Sequence, residues 1–383
     1  MARLRHSLGR ALSLLLIPAS IVPLVLVAPQ IAESYRLFDR NHNSGPFAPP
    51  AIRLTAAQRN RFRPLQPYSG VVPVLDYGEV TDDSGAGSLA VTRHAFAEQM
   101  AALRNMGFRS IDVGQYLRMR RGDTRGLPER PILITFDGGR LASYRGADRV
   151  LQRYGFRATM FVAAERISAP LGESEDFLTW RELHTMTKSG RWDVQPMADR
   201  GYRRVAVDAR GDTAPFFAAR RFTRSAGLET FAAYDRRVTQ DVFGAQAGLA
   251  QHGYDAHAFA VPEGDLGQLT PGDPRIAPFM RELLSRQFGV YFTRDPRNDP
   301  AYAGAGVEAQ RYVVGSATTT DRLYMWLRDH SPAQLAAAAR RRSDRLAVAR
   351  RHAHERRAAA QRADDRRKAR AKHRAKHRAK RKH

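Results

Sequence analysis

The stretch PILITFDGGRLASYRGADRVLQRYGFRATMFVA, Pro131 to Ala163, contains a complete strand, helix and strand. Its first six residues are almost all apolar, which is typical of a strand buried on both faces. A segment of helical length follows Asp137, and RATMFVA is a second apolar run of strand length. Strands joined through a helix are parallel neighbours in one sheet, so this stretch predicts an α/β fold.

The same alternation continues on both sides and defines a body at residues 71–330. Further strands are predicted in VVPVLDY, WDVQPM, HAFAV, GVYFT and RYVVG. Further helices are predicted in HAFAEQMAALRNMGF, TWRELHTMTKSG, ETFAAYDRRVTQDVFGAQAGLAQHG, DPRIAPFMRELLSRQF and TTDRLYMWLRDH. Repeated strand and helix units form a mostly parallel sheet, and the number of strands suits a seven or eight-stranded (β/α) barrel.

Residues 1–32 predict a signal anchor that spans a membrane. Three arginines, Arg3, Arg5 and Arg10, precede 22 residues without a charge, Ala11 to Ala32. As a helix this run would be about 33 Å long, close to the roughly 30 Å of bilayer hydrocarbon. The arginines place the N-terminus inside and the body outside the cytoplasm. Cleavage as a secretory signal and a buried core helix are the alternatives, and cleavage would make the protein secreted.

Two polar segments flank the body. Residues 33–70 are rich in Pro and polar residues and predict a linker. Residues 331–383 begin with the helix-capping pattern of Ser331, Pro332 and Gln334. From Arg340 to His383 there are 20 Arg or Lys and 4 Asp or Glu, which account for +16 of the net charge of +25. This tail predicts a disordered polycation.

The basic tail indicates which partners the protein could bind, and the composition excludes some kinds of active site. A polycation binds nucleic acid by releasing counterions, and it binds anionic envelope polymers through the same electrostatics. An exported protein meets the envelope polymers, so we expect these, with the membrane as partner of the N-terminal helix, and we disfavour nucleic acid. The chain has no cysteine, which excludes thiolate metal sites and a cysteine nucleophile.

Asp137 stands at the end of an apolar strand and is followed by Gly138 and Gly139. Carboxyl ends of strands in α/β folds present side chains to ligands. The plain alternative is a strand-to-helix turn, in which the aspartate accepts backbone N–H bonds and glycine supplies a positive φ.

Four stretches within the body resemble the polysaccharide deacetylase family, carbohydrate esterase family four, which has the NodB homology domain. They are VVPVLDYGEV, ITFDGGRLASYRGADRVLQRYGFRATMFV, SGRWDVQPMADRG and FAVPEGDLGQL. The resemblance spans about residues 71–330 and implies a distorted (β/α) barrel of the polysaccharide deacetylase type. It also implies an amidohydrolase that uses a divalent metal such as zinc.

The resemblance assigns the general-base position to Asp137 and the metal-ligand positions to Gly138, Met197 and Gly201. In the family the ligands are an aspartate and two histidines, and the metal polarises the substrate carbonyl and a water. Glycine has no side-chain donor, and a thioether is a poor ligand for a borderline divalent ion. Gly78 also stands where relatives commonly have histidine. We therefore expect that this chain uses no cofactor.

Other residues are candidates for a substrate cleft or a rebuilt site. The cleft candidates are Arg140, Asp199 and Glu263. An all-carboxylate site for Mg²⁺ or Ca²⁺ would draw on Asp199, Asp208, Glu263 and Asp265, although solvated loop acids are the plainer interpretation. The histidines His184 and His257 and the tryptophans Trp180 and Trp192 are interpreted as packing or surface residues.

Three functions remain open from the sequence. The first is an extracytoplasmic, membrane-anchored, deacetylase-like pseudoenzyme that binds N-acetylated glycans or acts as a scaffold in the cell envelope. The second is an active carbohydrate N-deacetylase with a non-standard metal site. The third is a nucleic-acid binder that acts through its tail.

Overall fold

The computed structural model describes residues 45–168, 176–294, 306–337 and 340–341, apart from Ser69 and Ser84. The chain divides into two units, Met1–Leu327 and Arg328–His383. The predicted anchor, residues 1–32, lies outside the described residues, as does nearly all of the basic tail. Within the described ranges, no helix combines the length and the apolar character needed to cross a bilayer. In the second unit, residues 332–337 are helical, as the capping pattern predicts.

The first unit alternates strands and helices. The strands are β1 (Val74–Tyr77), β2 (Glu79–Val80), β3 (Ala90–Val91), β4 (Arg109–Ser110), β5 (Pro131–Gly138), β6 (Ala158–Ala163), β7 (Trp192–Ala198), β8 (Arg204–Ala206), β9 (Thr213–Pro215), β10 (Phe222–Thr223), β11 (Gly227–Leu228), β12 (Ala258–Ala260), β13 (Val290–Thr293), β14 (Glu308–Gln310) and β15 (Tyr312–Val314). The helices are α1 (Ala56–Arg61), α2 (Arg93–Asn105), α3 (Val113–Arg120), α4 (Leu141–Tyr154), α5 (Ala164–Ser168), α6 (Trp180–Thr187), α7 (Phe231–Gln251), α8 (Ile276–Gln287) and α9 (Thr320–Asp329).

The central strands are parallel and follow a ring order. One sheet has the order β15-β1-β5-β6-β7, and β4 also pairs with β5. A second parallel sheet has the order β12-β13-β14. Arg311 alone separates β14 from β15. At the other junction, Gln195 Oε1 in β7 accepts hydrogen bonds from His257 N and Ala258 N at β12, each of 2.9 Å. A side chain thus bridges β7 and β12 where the backbone ladder is interrupted.

Alternate residues of each strand enter the two sides of the ring. In β5, Ile132, Ile134 and Phe136 belong to one hydrophobic cluster and Leu133 belongs to another. Phe161 of β6 contacts Phe292 of β13 at 5.6 Å between ring centroids, although the two strands belong to different sheets. These side chains therefore meet inside the ring, and the predicted α/β fold with its parallel strands is confirmed.

An N-terminal segment and two hairpins pack around the parallel strands. The predicted linker includes residues 45–68, which pack along the body: Phe62 and Tyr68 are buried in its core, and the guanidinium groups of Arg93 and Arg145 lie over the Phe47 ring. Antiparallel hairpins β8–β9 and β10–β11 follow the carboxyl end of β7. The sequence did not predict α3, β4 or β14, which are short or lack a clear period.

Candidate functional site

Asp137 lies at the carboxyl end of β5, on the same side of the strand as Leu133 and therefore toward the ring interior. Gly138 and Gly139 follow with φ angles of +89° and +74°. Residues with a side chain rarely adopt this region, so the two glycines make the tight turn into α4. The two glycines therefore form the strand-to-helix turn. The partner of the aspartate is a side chain that is distant in the sequence.

Arg311 is the partner of Asp137. Its Nη1 donates to Asp137 Oδ1 and its Nη2 to Asp137 Oδ2, each at 2.7 Å. The same guanidinium lies 3.3 Å from Asp76 Oδ2 at the end of β1, and Nη1 donates to Thr135 Oγ1 at 3.2 Å. The Arg311 side chain is 3% exposed, so one buried cation lies between two carboxylates. Such two-point arginine pairs are among the strongest hydrogen-bonded ion pairs in proteins.

Burial and mutual charge set the ionisation of this cluster. Burial raises the pKa of Asp76 to about 6, with Arg311 lowering it, Asp137 raising it and Arg294 lowering it. Burial alone would lower the pKa of Arg311, but Asp137 and Asp76 raise it above its ordinary value. The guanidinium is therefore charged at any physiological pH.

The position assigned to the metal-binding aspartate, Gly138, is closed by Tyr202. A Cβ built on Gly138 would lie 2.8 Å from Tyr202 Oη and 3.0 Å from Tyr202 Cζ. Real Cβ atoms do not approach other atoms this closely, so no carboxylate fits there without displacement of the ring. Burial raises the pKa of Tyr202, the Asp137 carboxylate raises it further and Arg140 lowers it.

The two positions assigned to histidine are also filled by packing. Met197 is fully buried, and its Sδ accepts a hydrogen bond from Gly138 N at 3.1 Å. A Cβ on Gly201 would lie 2.8 to 2.9 Å from Phe216 Cδ1, Phe217 Cε2 and Asp241 Oδ1. An imidazole at Gly201 would therefore need the surrounding loop to rearrange.

The fourth position, Gly78, is closed by backbone. A Cβ there would lie 2.9 Å from Leu89 Cβ and 3.0 Å from Leu89 O. A histidine at this position would meet the segment that leads into β3, and a backbone atom cannot move aside as a flexible side chain can.

The residues present do not fit a divalent metal. Across the residues that the structure describes, no group of three or more His, Cys, Asp or Glu side chains could hold such an ion. Asp76 and Asp137 share one guanidinium, which supplies the positive charge between them. The side chains at this site therefore offer no set of ligands for metal-dependent chemistry.

The three cleft candidates lie in different surroundings. Arg140 is 3.8 Å from Glu79, and its guanidinium lies over the Phe177 ring at 5.2 Å. Since Arg140 also acts on Tyr202, it belongs with Asp137 at the mouth of the ring. Asp199 lies 3.8 Å from its neighbour Arg200, and Glu263, with φ of +56°, pairs with Arg204. Neither of these two acids has a described contact with Asp137.

The carboxylates proposed for a rebuilt site do not converge. Asp208 is bonded within the β8–β9 turn to Arg210, at 2.9 Å to the backbone N and 3.0 Å to Nε. Asp265 is buried and accepts from Gly267 N at 2.8 Å and Leu269 N at 3.1 Å. Each acid thus satisfies a local turn, as the plainer interpretation states.

The histidines and tryptophans singled out from the sequence lie away from Asp137. Trp180 of α6 stacks on His252 at 3.9 Å, and His184 contacts Tyr254 at 5.3 Å. The Trp192 side chain is buried, and its Nε1 donates to Asp148 at 2.9 Å. His257 lies at the amino end of β12. The packing role expected for Trp180 and Trp192 agrees with these contacts.

Comparison with known proteins indicates the family. Residues 124–268 match the family model described as polysaccharide deacetylase. This segment of the chain is therefore similar to a polysaccharide deacetylase domain. It is 24% identical over 239 residues to the poly-β-1,6-N-acetyl-D-glucosamine N-deacetylase of Escherichia coli K12, a match that covers 59% of this chain and 34% of the relative. The chain thus spans about a third of the length of that relative.

Solved deacetylase structures show the same fold. A de-N-acetylase from Aggregatibacter actinomycetemcomitans superimposes with a TM-score of 0.58 at 16% identity, covering 67% of this chain and 100% of that one. The BpsB deacetylase domain from Bordetella bronchiseptica superimposes with a TM-score of 0.52 at 21% identity, covering 66% and 98%. The comparisons therefore support the recognition made from the four motif stretches.

Three residues at this deacetylase-like site were missed by sequence reasoning: Asp76, Tyr202 and Arg311. Arg311 lies outside residues 124–268, between β14 and β15, in a stretch predicted as a strand from its apolar residues. A signal was present, since Arg311 is the first residue of the apolar stretch RYVVG, and a buried arginine requires a carboxylate partner. The residues next to Arg311 in the sequence do not predict which carboxylate it contacts.

Asp241 of α7 shapes the loop that carries the two missing histidine positions, and it gives a pH prediction. It accepts hydrogen bonds from Asp199 N at 3.0 Å and Arg200 N at 2.8 Å. Burial raises its pKa to about 6, partly offset by these amides. Because the folded-state pKa exceeds the unfolded one, the cost of ionisation appears as pH rises from about 4 to about 6 and is absent below.

We expect the stability of the unmodified protein relative to Asp241→Asn to fall by on the order of 2 kcal/mol between pH 4 and pH 8. Urea denaturation of both proteins across this range measures the difference. Asp212→Asn, which changes an exposed carboxylate in the β8–β9 turn, is the matched control and should show a flat difference. A flat difference for Asp241→Asn as well would contradict the buried, ionisable role of this residue.

Proposed function

We propose that this protein is a non-catalytic member of the polysaccharide deacetylase family that binds N-acetylated glycans. The observation that carries the proposal is the buried ion pair between Arg311 and Asp137, in which both carboxylate oxygens accept hydrogen bonds at 2.7 Å. A general base must be free to take a proton from water within hydrogen-bonding reach. Here the guanidinium of Arg311 occupies both oxygens of that carboxylate.

The closed ligand positions support the same proposal. Amide hydrolysis in this family would need a Lewis acid beside the base, and Tyr202 stands where its carboxylate ligand would stand. A carboxylate base alone contributes about 10²–10⁴-fold, far below the acceleration that amide hydrolysis requires. The alternative of an active deacetylase built on other carboxylates loses support, because Asp208 and Asp265 serve local turns, while Asp199 and Glu263 pair with nearby arginines.

Glycan binding is proposed from the family and from the groups at the mouth of the ring. The Escherichia coli relative is named for acting on poly-β-1,6-N-acetyl-D-glucosamine. In this chain Arg140 offers a guanidinium, and Tyr202 a ring and a hydroxyl, beside Phe177. Donors beside aromatic faces suit a ligand with hydroxyl and acetamide groups.

The location and the tail complete the proposal. We infer an extracytoplasmic protein held at the membrane by residues 1–32, with the basic tail attracted to anionic envelope polymers. The support is the uncharged run with its preceding arginines and the charge of residues 340–383.

Incubation with β-1,6-linked N-acetylglucosamine oligomers, with and without added Zn²⁺, tests the proposal. Acetate release should stay at the level of the buffer, while calorimetry should detect oligomer binding. Arg140→Met should weaken binding by about tenfold, the effect of losing one charged hydrogen bond, and Arg125→Met, at a 91% exposed arginine, should not. Acetate release that a chelator and Asp137→Asn both abolish would establish an active enzyme instead.

A further inference from the structure

A second concave site, the lower cavity, lies at the opposite end of the ring from Asp137. It is a cavity of about 370 Å³. Its lining includes Ala158 at the start of β6, Trp192 and Asp193 at the start of β7, and His257 just before β12. A cavity of this size is within the range that holds small-molecule ligands. Nothing in the proposed glycan-binding role uses it.

Asp193 is the group in this cavity that lacks a strong partner. Its carboxylate receives Gln195 Nε2, at 3.3 Å and 3.5 Å, and the backbone N–H of Val194. The same Nε2 donates to Asp255 O at 3.1 Å, so the amide is committed to the bridge between β7 and β12. Over the described ranges no arginine, lysine or histidine forms an ion pair with Asp193. Burial raises the pKa of Asp193 to about 6, partly offset by its hydrogen bonds and by the imidazole of His257.

The other charged groups around the cavity leave a negative excess. Arg157 lies 3.7 Å from Asp112, and both arms of that pair line the cavity. Arg191 is held by the buried Asp148, with Nη2 at 3.0 Å from each carboxylate oxygen. The remaining titratable lining groups are Asp193, Asp255, His257 and the phenol of Tyr254.

A buried hydroxyl beside Asp193 provides an independent indication of a ligand. Thr159 of β6 is the register partner of Asp193, and it shares the inward side of its strand with Phe161. Its Oγ1 is fully buried and has no hydrogen-bond partner among the described residues. Thr159 is not part of the cavity lining, but an unsatisfied buried hydroxyl is costly, and a water held between it and Asp193 would relieve that cost.

We propose that this lower cavity binds a small hydroxylated ligand that carries an ammonium group, with Asp193 as its counter-ion. An ammonium donates to a carboxylate and its charge offsets the negative excess, whereas an anion would face Asp193 unpaired. A divalent cation is disfavoured, because the described residues form no cluster of three acidic or imidazole ligands. The volume limits the ligand to about the size of one or two sugar rings.

Calorimetric titration of the full-length protein with D-glucosamine, N-acetylglucosamine and glucose tests this site. The three probes have similar size, and only glucosamine carries an ammonium. We expect glucosamine to bind at least about tenfold more tightly than the other two, the effect of one charged hydrogen bond. Equal binding of all three sugars, or no binding of glucosamine, would overturn the proposal without requiring any variant.

Two variants locate the binding. Asp193→Asn keeps the shape of the side chain and should weaken glucosamine binding by about tenfold, while Asp212→Asn, at an exposed carboxylate, should leave it unchanged. Retained affinity in Asp193→Asn would refute the assignment. A saturating β-1,6-linked N-acetylglucosamine oligomer should not displace glucosamine, which separates this cavity from the proposed glycan cleft at the other end of the ring.

Discussion

Replacing Arg311 with methionine should lower the free energy of unfolding by about 3–5 kcal/mol. The substitution removes a cation that is 3% exposed and leaves Asp76 and Asp137 without their shared partner. Two carboxylates in one buried site repel each other, and each loses hydrogen bonds that its desolvation requires. Urea denaturation followed by tryptophan fluorescence measures the loss.

Arg294→Met is the matched control for this substitution. Arg294 also faces Asp76, at 3.7 Å, but its side chain is 36% exposed, so its loss should cost less than about 1 kcal/mol. Adding Asp76→Asn and Asp137→Asn to Arg311→Met should recover much of the stability, because no unpaired charge remains. An Arg311→Met protein as stable as the control would show that the ion pair is not structurally important.

Restoring the family's ligand set by Gly138→Asp, Met197→His and Gly201→His should fail to create a metal site and should destabilise the fold. The resemblance to the family, taken by itself, would imply that the triple change recovers metal binding. The structure predicts otherwise, since side chains at Gly138 and Gly201 would collide with Tyr202 and with Phe216 and Phe217. Metal analysis after dialysis against Zn²⁺ should find no stoichiometric ion.

Single substitutions separate the causes of this failure. Gly138→Ala should cost about 2–4 kcal/mol, combining a positive φ with overpacking. Gly122→Ala has the same backbone angle, φ of +90°, with nothing within 4 Å, and should cost only about 1–2 kcal/mol. Tyr202→Ala should remove part of the extra cost in Gly138→Ala, a coupling expected of residues in contact. One bound zinc in a stable triple variant would refute the closed-site account.

Much of the fold was readable from local sequence. The alternation of apolar runs and helical periods predicted β1, β5, β6, β7, β12, β13 and β15 and the helices around them, because side-chain period reports the surroundings of each element directly. The motif stretches placed Asp137 at a strand end and indicated the loss of histidine and aspartate at three positions. Short elements such as β4 and β14 escaped, since two or three residues carry no period.

What the sequence by itself determined is therefore the class of fold and the resemblance to the deacetylase family, which implies the loss of the usual ligands at Gly138, Met197 and Gly201. Only the tertiary structure decided what took their place: Arg311 reaches Asp137 from the far end of the domain, and Tyr202 closes the space over Gly138. The unpaired Asp193 in the lower cavity was likewise invisible, because its isolation depends on where Arg157 and Arg191 find their own partners. Helix and strand periods are properties of neighbouring residues, whereas ion pairs and filled volumes depend on which distant side chains the fold brings together.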